Sequence, residues 1–451
     1  MSNFQLQRRR VSKLKKFLAI ILGAIFVLSF AASAFAIHAE IPAETQAVVA
    51  KGATQISIDG EIRTRGWYEK NISSEQGNPV DSKSGAWYDQ RIRLSVDAKV
   101  SPNVEGFVQL ESNTGNHDTY TWGNFNSKPT TIGVLQDWIL YTGQGLFGFP
   151  AGLKIGHMPL ALGEKQFFDH TKFGDDAIVF FMDPTKELHV GLLTIKLAEA
   201  NAAGSALQNS TGDLDAYVGL AVYRWDPKNA IGINYTYLNG GSASITPRKK
   251  ESDLGLHANG DISGLTYKAE ADFQFGDKAK DTKAKGYGLT AALGYSVDPV
   301  GIRASAAYGS GDDSGDKDAA GHPKKEKEFD TFLGNDQHYT LVYEYRVNSA
   351  AGTVNTGISN TTYFNLGVDF APMKDLKASV DGYILRASKS NKAVAGSDSK
   401  NIGWEADAKV VYSVARNLNY QVDAGYFKTG GFYGDNKKNA TVLRHMITLS
   451  F

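Results

Sequence analysis

LTYKAEADFQF, residues 265–275, alternates apolar and polar side chains at every position. In an extended strand successive side chains point to opposite faces, so one face here is wholly apolar while the other carries Lys268, Glu270 and Asp272. No helical period of 3.6 residues fits the same stretch. A strand with one face suited to hydrocarbon and one suited to water is typical of a β-barrel that crosses a membrane.

The same period-two pattern recurs from residue 54 to the end, separated by Gly, Pro, Asn and Asp turns. We predict spans at 54–67, 86–100, 103–114, 131–142, 151–162, 176–182, 186–198, 213–225, 229–239, 251–262, 265–276, 286–297, 300–310, 361–371, 376–388, 400–414, 417–429 and 440–451. Because unpaired backbone groups are not tolerated at membrane depth, the spans must close on themselves. The prediction is an all-β, transmembrane, antiparallel up-and-down β-barrel of 18 strands.

Two other strand counts stay open. Residues 338–347 also alternate, but one added span would reverse the direction of all later strands, so parity assigns 311–360 to a long insert, extracellular or folded into the lumen. A hairpin within that insert would give 20 strands, and loss of the weak 176–198 pair would give 16.

The two ends of the chain predict the same location. Residues 1–36 combine six Arg and Lys, an apolar run and the cleavage pattern Ala34-Phe35-Ala36, which indicates a cleaved signal peptide. A short periplasmic segment, 37–53, would then precede a barrel at 54–451. The last strand ends on Phe451, an aromatic carboxy-terminus that we interpret as the barrel-insertion signal, and His445 alone departs from its apolar face. These features predict the outer membrane of a Gram-negative bacterium.

Composition narrows the chemistry. The chain has no cysteine, which excludes disulfides and thiol chemistry. Without residues 1–36 it keeps 42 basic and 48 acidic residues, a charge that does not predict nucleic-acid binding. We find no catalytic motif and no metal-ligand spacing, and we expect no cofactor. A Gly-rich acidic loop at 309–318 could offer oxygens to calcium, although a solvated loop explains it better. The expected partners are outer-membrane lipid and lipopolysaccharide, the barrel-assembly machinery and small hydrophilic solutes.

Charged side chains on the polar strand faces are the candidate pore lining. The most distinctive are Arg63 and Arg65 on one strand with Arg91 and Arg93 on the next, which would bind anions or pair with acidic residues on the same faces. The full set of predicted pore-lining residues is Asp59, Glu61, Arg63, Arg65, Arg91, Arg93, Asp97, Lys99, Glu111, Lys268, Glu270, Asp272, Arg303, Glu405, Asp407, Lys409 and Arg444.

Several motifs resemble the alginate-export-type family of outer-membrane channels. They are Gly60–Arg65, Asp89–Leu94, Leu153–His157, Phe329–Phe332 with His338–Tyr339, and Gly403–Asp407. The resemblance implies a monomeric 18-stranded barrel with an arginine-rich, electropositive lumen. His157 stands where the family pattern usually has arginine, and acidic residues interleave with the basic ones.

The sequence therefore predicts an outer-membrane porin that is not an enzyme and passes small hydrophilic solutes, anions among them. Three alternatives remain: an exporter of an acidic polysaccharide, which requires strong anion selectivity, a structural barrel around an electron-transfer partner, and a barrel hydrolase.

Overall fold

The computed structural model describes most of the chain from residue 47 onward. The described residues are 47–51, 54–72, 84–113, 119–123, 130–199, 213–240, 250–279, 282–312, 324–331, 338–347, 350, 356–390, 397–434 and 438–451. The predicted signal peptide at 1–36, most of the segment at 37–53 and parts of the insert at 311–360 lie outside them.

Eighteen long strands form one closed antiparallel sheet. They are β1 Thr54–Lys70, β2 Ser84–Ser101, β3 Val104–Asn113, β4 Thr131–Gln144, β5 Pro150–Met158, β6 Asp175–Met182, β7 Leu188–Ala198, β8 Leu214–Asp226, β9 Asn229–Gly240, β10 Lys250–Ile262, β11 Leu265–Ala279, β12 Tyr287–Val297, β13 Val300–Gly309, β14 Thr361–Met373, β15 Leu376–Ala387, β16 Asn401–Ala415, β17 Leu418–Thr429 and β18 Ala440–Ser450. Each strand pairs with the next, and β18 pairs with β1. The predicted 18-stranded up-and-down barrel is confirmed.

Short and long connections alternate around the barrel. Tight links such as 227–228 and 263–264 lie at one rim, and the long connections lie at the other. The largest boundary difference from the sequence prediction is at β5, which was expected to run to residue 162 and ends at Met158. The wall is short there because the chain after Met158 turns into the lumen.

Residues 338–347 are not a strand, despite their alternation. They contain a short helix, Tyr343–Arg346, whose first backbone N–H groups donate to the Glu405 carboxylate on β16. The Glu405 carboxylate, which points into the lumen, thus accepts hydrogen bonds from backbone N–H groups at the start of the helix that have no partner within the helix. Further short strands at Ala47–Lys51, Tyr120–Thr121, Thr282–Ala284 and Lys325–Glu326 extend the sheet outside the main wall.

The outer face of the wall is apolar, as the alternation predicts. Side chains that point outward keep large exposed fractions, including 64% for Ile139, 61% for Leu366 and 62% for Ile384. Such a band of exposed apolar side chains is the surface that meets lipid. Among the described residues, no helix is long and apolar enough to cross a bilayer.

The closing seam between β18 and β1 depends on two glycines. Phe451 exchanges backbone hydrogen bonds with Gly60, at 2.7 and 3.0 Å, and its ring lies over that glycine. Further along the seam, His445 fills the space above Gly66 and packs edge-on against Tyr88, with 5.7 Å between the two ring centroids. A Cβ atom on Gly66 would lie 2.8 Å from the Tyr88 ring. His445, the one residue out of pattern on the outer face, therefore packs into a glycine notch across the seam.

We predict that Gly66→Leu weakens the closed barrel. The new side chain must displace both the His445 and Tyr88 rings, and such overpacking should lower the free energy of unfolding by roughly 1–3 kcal/mol. Urea unfolding of the refolded barrel in detergent, followed by heat-modifiable gel mobility, measures the change.

The matched control is Gly106→Leu on β3, because no heavy atom lies within 4 Å of a Cβ at Gly106. Equal losses in the two variants would show that the seam notch has no special role.

Candidate functional site

The predicted arginine pairs on β1 and β2 form ion pairs with carboxylates on neighbouring strands. Arg65 donates to Asp89 through Nε at 2.7 Å and Nη2 at 2.9 Å. Arg91 Nη2 lies 2.7 Å from Glu61 Oε1. These contacts follow from the register, which places the partners on the same inner face.

Other arginines are paired in the same way. Arg93 Nε donates to Glu111 at 2.6 Å, and Arg444 Nε donates to Asp423 at 2.8 Å. Charge-assisted pairs of this kind fix the geometry of the side chains and reduce their outward field. The sequence left open whether the arginines bind anions or pair with acidic neighbours, and the structure shows that these ion pairs form.

Arg303 on β13 pairs with carboxylates on two other strands. Its guanidinium donates to Asp369 on β14 at 2.6 and 3.0 Å and to Asp381 on β15 at 2.9 and 3.0 Å. Two bidentate contacts to one guanidinium leave a local excess of negative charge. The sequence missed both aspartates, although each occupies an inward position of an alternating strand.

A hairpin at 159–174, here the inner hairpin, folds into the lumen between β5 and β6. Its two arms are joined by the Ala161–Asp169 bridge and by a hydrogen bond from Leu162 N to Phe168 O. Phe167 and Phe168 are fully buried, in the same apolar cluster as inward residues Val179, Ile195, Val218 and Leu220 of β6, β7 and β8. Burial of this apolar surface holds the hairpin against one side of the lumen.

The inner hairpin also contacts two predicted pore-lining residues on β11, Lys268 and Glu270. Gln166 N donates to Glu270 at 3.0 Å, and Lys268 contacts Glu164 at 2.7 Å. Glu270 is 3% exposed and Asp272 is 0% exposed. Protein rather than solvent therefore covers both carboxylates.

The segment 338–347, here the insert segment, lies against the opposite side of the lumen. Glu405 accepts from Val342 N at 2.6 Å and Tyr343 N at 2.8 Å, and Asp407 accepts from Leu341 N at 3.0 Å. At its other end, Arg346 pairs with Glu69 and lies 5.2 Å from the Trp67 ring centre. Glu405 is therefore covered, whereas Asp407 still borders open space.

A third inward segment, 324–331, lies along β11 and β12. Lys278 on β11 contacts Glu326 at 2.8 Å and Asp330 at 2.9 Å. Burial raises the pKa of Glu328 to about 7, and Ser359 donates to its carboxylate at 2.9 Å. Glu328 therefore gains its charge near neutral pH.

Two cavities remain between these segments. The larger, about 1070 Å³, is lined by the charged residues Arg63, Arg65, Arg91, Lys172, Asp298, Arg303, Asp369, Lys377, Asp381, Asp407, Lys409, Asp423 and Arg444. The smaller, about 850 Å³, is lined by the charged residues Glu164, Lys165, Arg224, Lys228, Asp261, Lys268 and Arg303. Arg303 borders both.

The predicted lining residues thus divide into three groups. Those that line a cavity are Arg63, Arg65, Arg91, Lys268, Arg303, Asp407, Lys409 and Arg444. Those that are covered and line neither cavity are Glu111, Glu270, Asp272 and Glu405. Those on the inner wall of β1 and β2 away from both cavities are Asp59, Glu61, Arg93, Asp97 and Lys99.

The sequence reasoning missed two lysines of the larger cavity. Lys377 begins the inward face of β15, where the alternation could have identified it. Lys172 lies on the inner hairpin, for which no periodic pattern exists. Within the described part of the chain, Lys377 and Lys409 make no ion pair.

Solved structures of Pseudomonas aeruginosa proteins, among them the outer membrane protein OpdK, have the same fold. OccK5 (OpdH) matches with a TM-score of 0.53 and 14% identity over 87% of this chain and 98% of that chain. OccK2 (OpdF) gives a TM-score of 0.54 with 11% identity over 87% and 97%. OpdK with vanillate gives 0.51 with 13% identity over 87% and 99%. At these identities the likeness establishes the fold.

No match was found among curated protein sequences. The family model described as "Alginate export" matches residues 54–445, which is nearly the whole barrel. The chain therefore belongs to the alginate export family and is a β-barrel of the Gram-negative outer membrane.

Proposed function

We propose that this protein is a diffusion channel for small hydrophilic solutes with a modest preference for anions. The observation that carries the proposal is the charge balance of the larger cavity. Its arginines Arg65, Arg91, Arg303 and Arg444 are each paired with carboxylates, whereas Lys377 and Lys409 make no ion pair in the described part of the chain.

Paired charges make a wall that is polar without being strongly electropositive. The opposite charges of an ion pair largely cancel at a distance, so a pore selects ions through the charge that is left uncompensated. Lys377 and Lys409 supply such charge near the mouth formed by the tight turns. This arrangement favours weak, transient binding, which conduction requires.

The size of the cavity fits the same proposal. At about 1070 Å³ it is comparable to the largest ordinary small-molecule pockets, which reach about 1,000 Å³. One porin of the same fold was solved with vanillate, a small carboxylate. That neighbour supports an anionic solute of similar size for this chain.

An exporter of an acidic polysaccharide is the second candidate, favoured by the family match and by the arginines of β1 and β2. A polyanion needs a continuous row of uncompensated positive charge along its path. Here three of the four arginines already form ion pairs, with Asp89, Glu61 and Glu111. We therefore favour the small-solute channel, and we treat the barrel as non-catalytic.

The surface of the barrel supports the expected partners. Its exposed apolar band suits membrane lipid, and Phe451, which follows the seam strand, is 42% exposed. We propose that this terminus is the signal read by the assembly machinery.

We predict that the double variant Lys377→Gln/Lys409→Gln loses anion preference. Removing two uncompensated cations should lower the anion-to-cation permeability ratio by roughly twofold, because the fixed carboxylates then dominate the field. Reversal potentials across planar bilayers under a salt gradient measure the ratio.

Lys186→Gln is the matched control, since Lys186 is 91% exposed on the turn between β6 and β7 and lines neither cavity. A wild-type barrel that never conducts would contradict the channel itself. Strong anion selectivity that survives in the double variant would favour the exporter.

We further predict that Arg346→Ala increases single-channel conductance. The substitution removes the contacts of Arg346 with Glu69 and the Trp67 ring, so the insert segment loses its anchor at β1 and leaves a wider lumen. We expect conductance to rise roughly 1.5-fold, with larger current fluctuations.

Arg386→Ala controls for the loss of an arginine, because Arg386 is exposed at the end of β15 and lines neither cavity. Unchanged conductance in Arg346→Ala would show that the insert segment does not narrow the conducting path.

A further inference from the structure

Four polar side chains on the inner faces of β9, β10 and β11 are buried together. Asn234 is 1% exposed, and Thr236, Asp253 and Asp272 are 0% exposed. They occupy neighbouring positions in the sheet, since Asn234 and Asp272 flank Gly255 on either side and Thr236 pairs with Asp253. We refer to these four residues around Gly255 as the cradle.

Three of the cradle side chains have no hydrogen-bond partner within the described part of the chain. Both carboxylate oxygens of Asp272, both amide atoms of Asn234 and the Thr236 hydroxyl are without one. Asp253 is approached by the side chain of Gln274 opposite it, and that amide also bonds to the backbone of Asp330. Buried polar groups nearly always have a hydrogen-bond partner. A group of buried polar atoms without partners at one place therefore indicates a bound species.

Gly255 gives the cradle its shape. A Cβ atom at this position would lie 2.7 Å from Asn234 Oδ1 and 2.8 Å from Asp272 Oδ1. The two side chains therefore converge over the glycine from opposite strands, and only a residue without a side chain leaves them this room. Converging carboxylate, amide and hydroxyl oxygens are the ligands that hard cations prefer.

The charge of the cradle also favours a cation. Asp253 and Asp272 repel each other and Glu270, which lies beside them on β11. The two lysines of β11 are engaged elsewhere, Lys268 with Glu164 and Lys278 with Glu326 and Asp330. Buried carboxylates without a counter-charge are strongly unfavourable.

The geometry favours a hydrated ion over a fully protein-caged one. In the described residues, no three acidic or histidine side chains converge closely enough to hold a metal ion between them. Mg²⁺ keeps several of its water molecules and binds proteins through one or two carboxylates, which is what Asp253 and Asp272 provide. The remaining waters would donate to the orphaned oxygens of Asn234 and Thr236.

We propose that the cradle binds one hydrated divalent cation, Mg²⁺ or Ca²⁺, through Asp253 and Asp272, with Asn234 and Thr236 completing the site. The ion lies beside Glu270, the residue that accepts from Gln166 N of the inner hairpin. The charge of the ion neutralises the carboxylates of the wall against which the inner hairpin packs.

Metal content of the refolded full-length barrel tests this proposal. After treatment with EDTA, the protein is dialysed against about 1 mM Mg²⁺ or Ca²⁺, a concentration at which weak extracellular sites fill. Bound metal is then measured by inductively coupled plasma mass spectrometry. We expect one ion per wild-type barrel and an affinity more than about tenfold lower in Asp253→Asn/Asp272→Asn.

Asp261→Asn on the same strand is the matched control, because Asp261 pairs with Lys228 at the turn and should not affect the metal content. A wild-type barrel that binds neither ion overturns the proposal, whatever the variants do. Full stoichiometry and affinity in the folded double variant overturn it as well. Because binding is measured without conductance, its failure is distinct from failure of the channel.

Discussion

The structure depends on one constraint, which is that every backbone N–H and C=O group at membrane depth must be paired within the chain. A closed sheet is the solution open to strands, and it requires β18 to return to β1 in a fixed register. That register is set where Phe451 and Gly60 exchange backbone hydrogen bonds. Once it is fixed, each strand residue points either to lipid or to the lumen, so the alternating sequence and the closed sheet are two descriptions of one requirement.

Closure also determines the chemistry of the lumen. Polar side chains that avoid lipid are gathered on one concave face, where charges on adjacent strands lie within reach of each other. Arg65 with Asp89, Arg91 with Glu61 and Arg93 with Glu111 are pairs of this kind. Such pairs satisfy the wall and remove most of its net field. Ion selectivity then depends on the few charges that the register leaves without a partner. For this reason an arginine-rich wall need not make a strongly anion-selective pore.

The sequence predicted the wall much better than it predicted the contents of the lumen. The strand count and nearly all boundaries follow from period two and turn residues, because those signals are local. Glu270, Asp272 and Glu405 follow the alternation of their strands, but their burial depends on segments that return from elsewhere in the chain. At 338–347 the alternation alone resembles a strand, but Tyr339 stacks on an aromatic ring of β14 and the Leu341 N–H group donates to a carboxylate of β16. Local periodicity carries no information about such contacts.

The two lumen segments share an apolar anchor and differ in their polar contacts. The inner hairpin buries Phe167 and Phe168 against an apolar wall, so its release would expose a large hydrophobic surface to water. The insert segment buries Val342 and Tyr343 in the same apolar cluster, so its release as a whole would have the same kind of cost. The contact of Arg346 with β1 is polar, and water and ions can replace a contact of this kind at a small net cost in free energy. A change of aperture therefore begins at the Arg346 end of the insert segment, while its apolar part and the inner hairpin stay fixed.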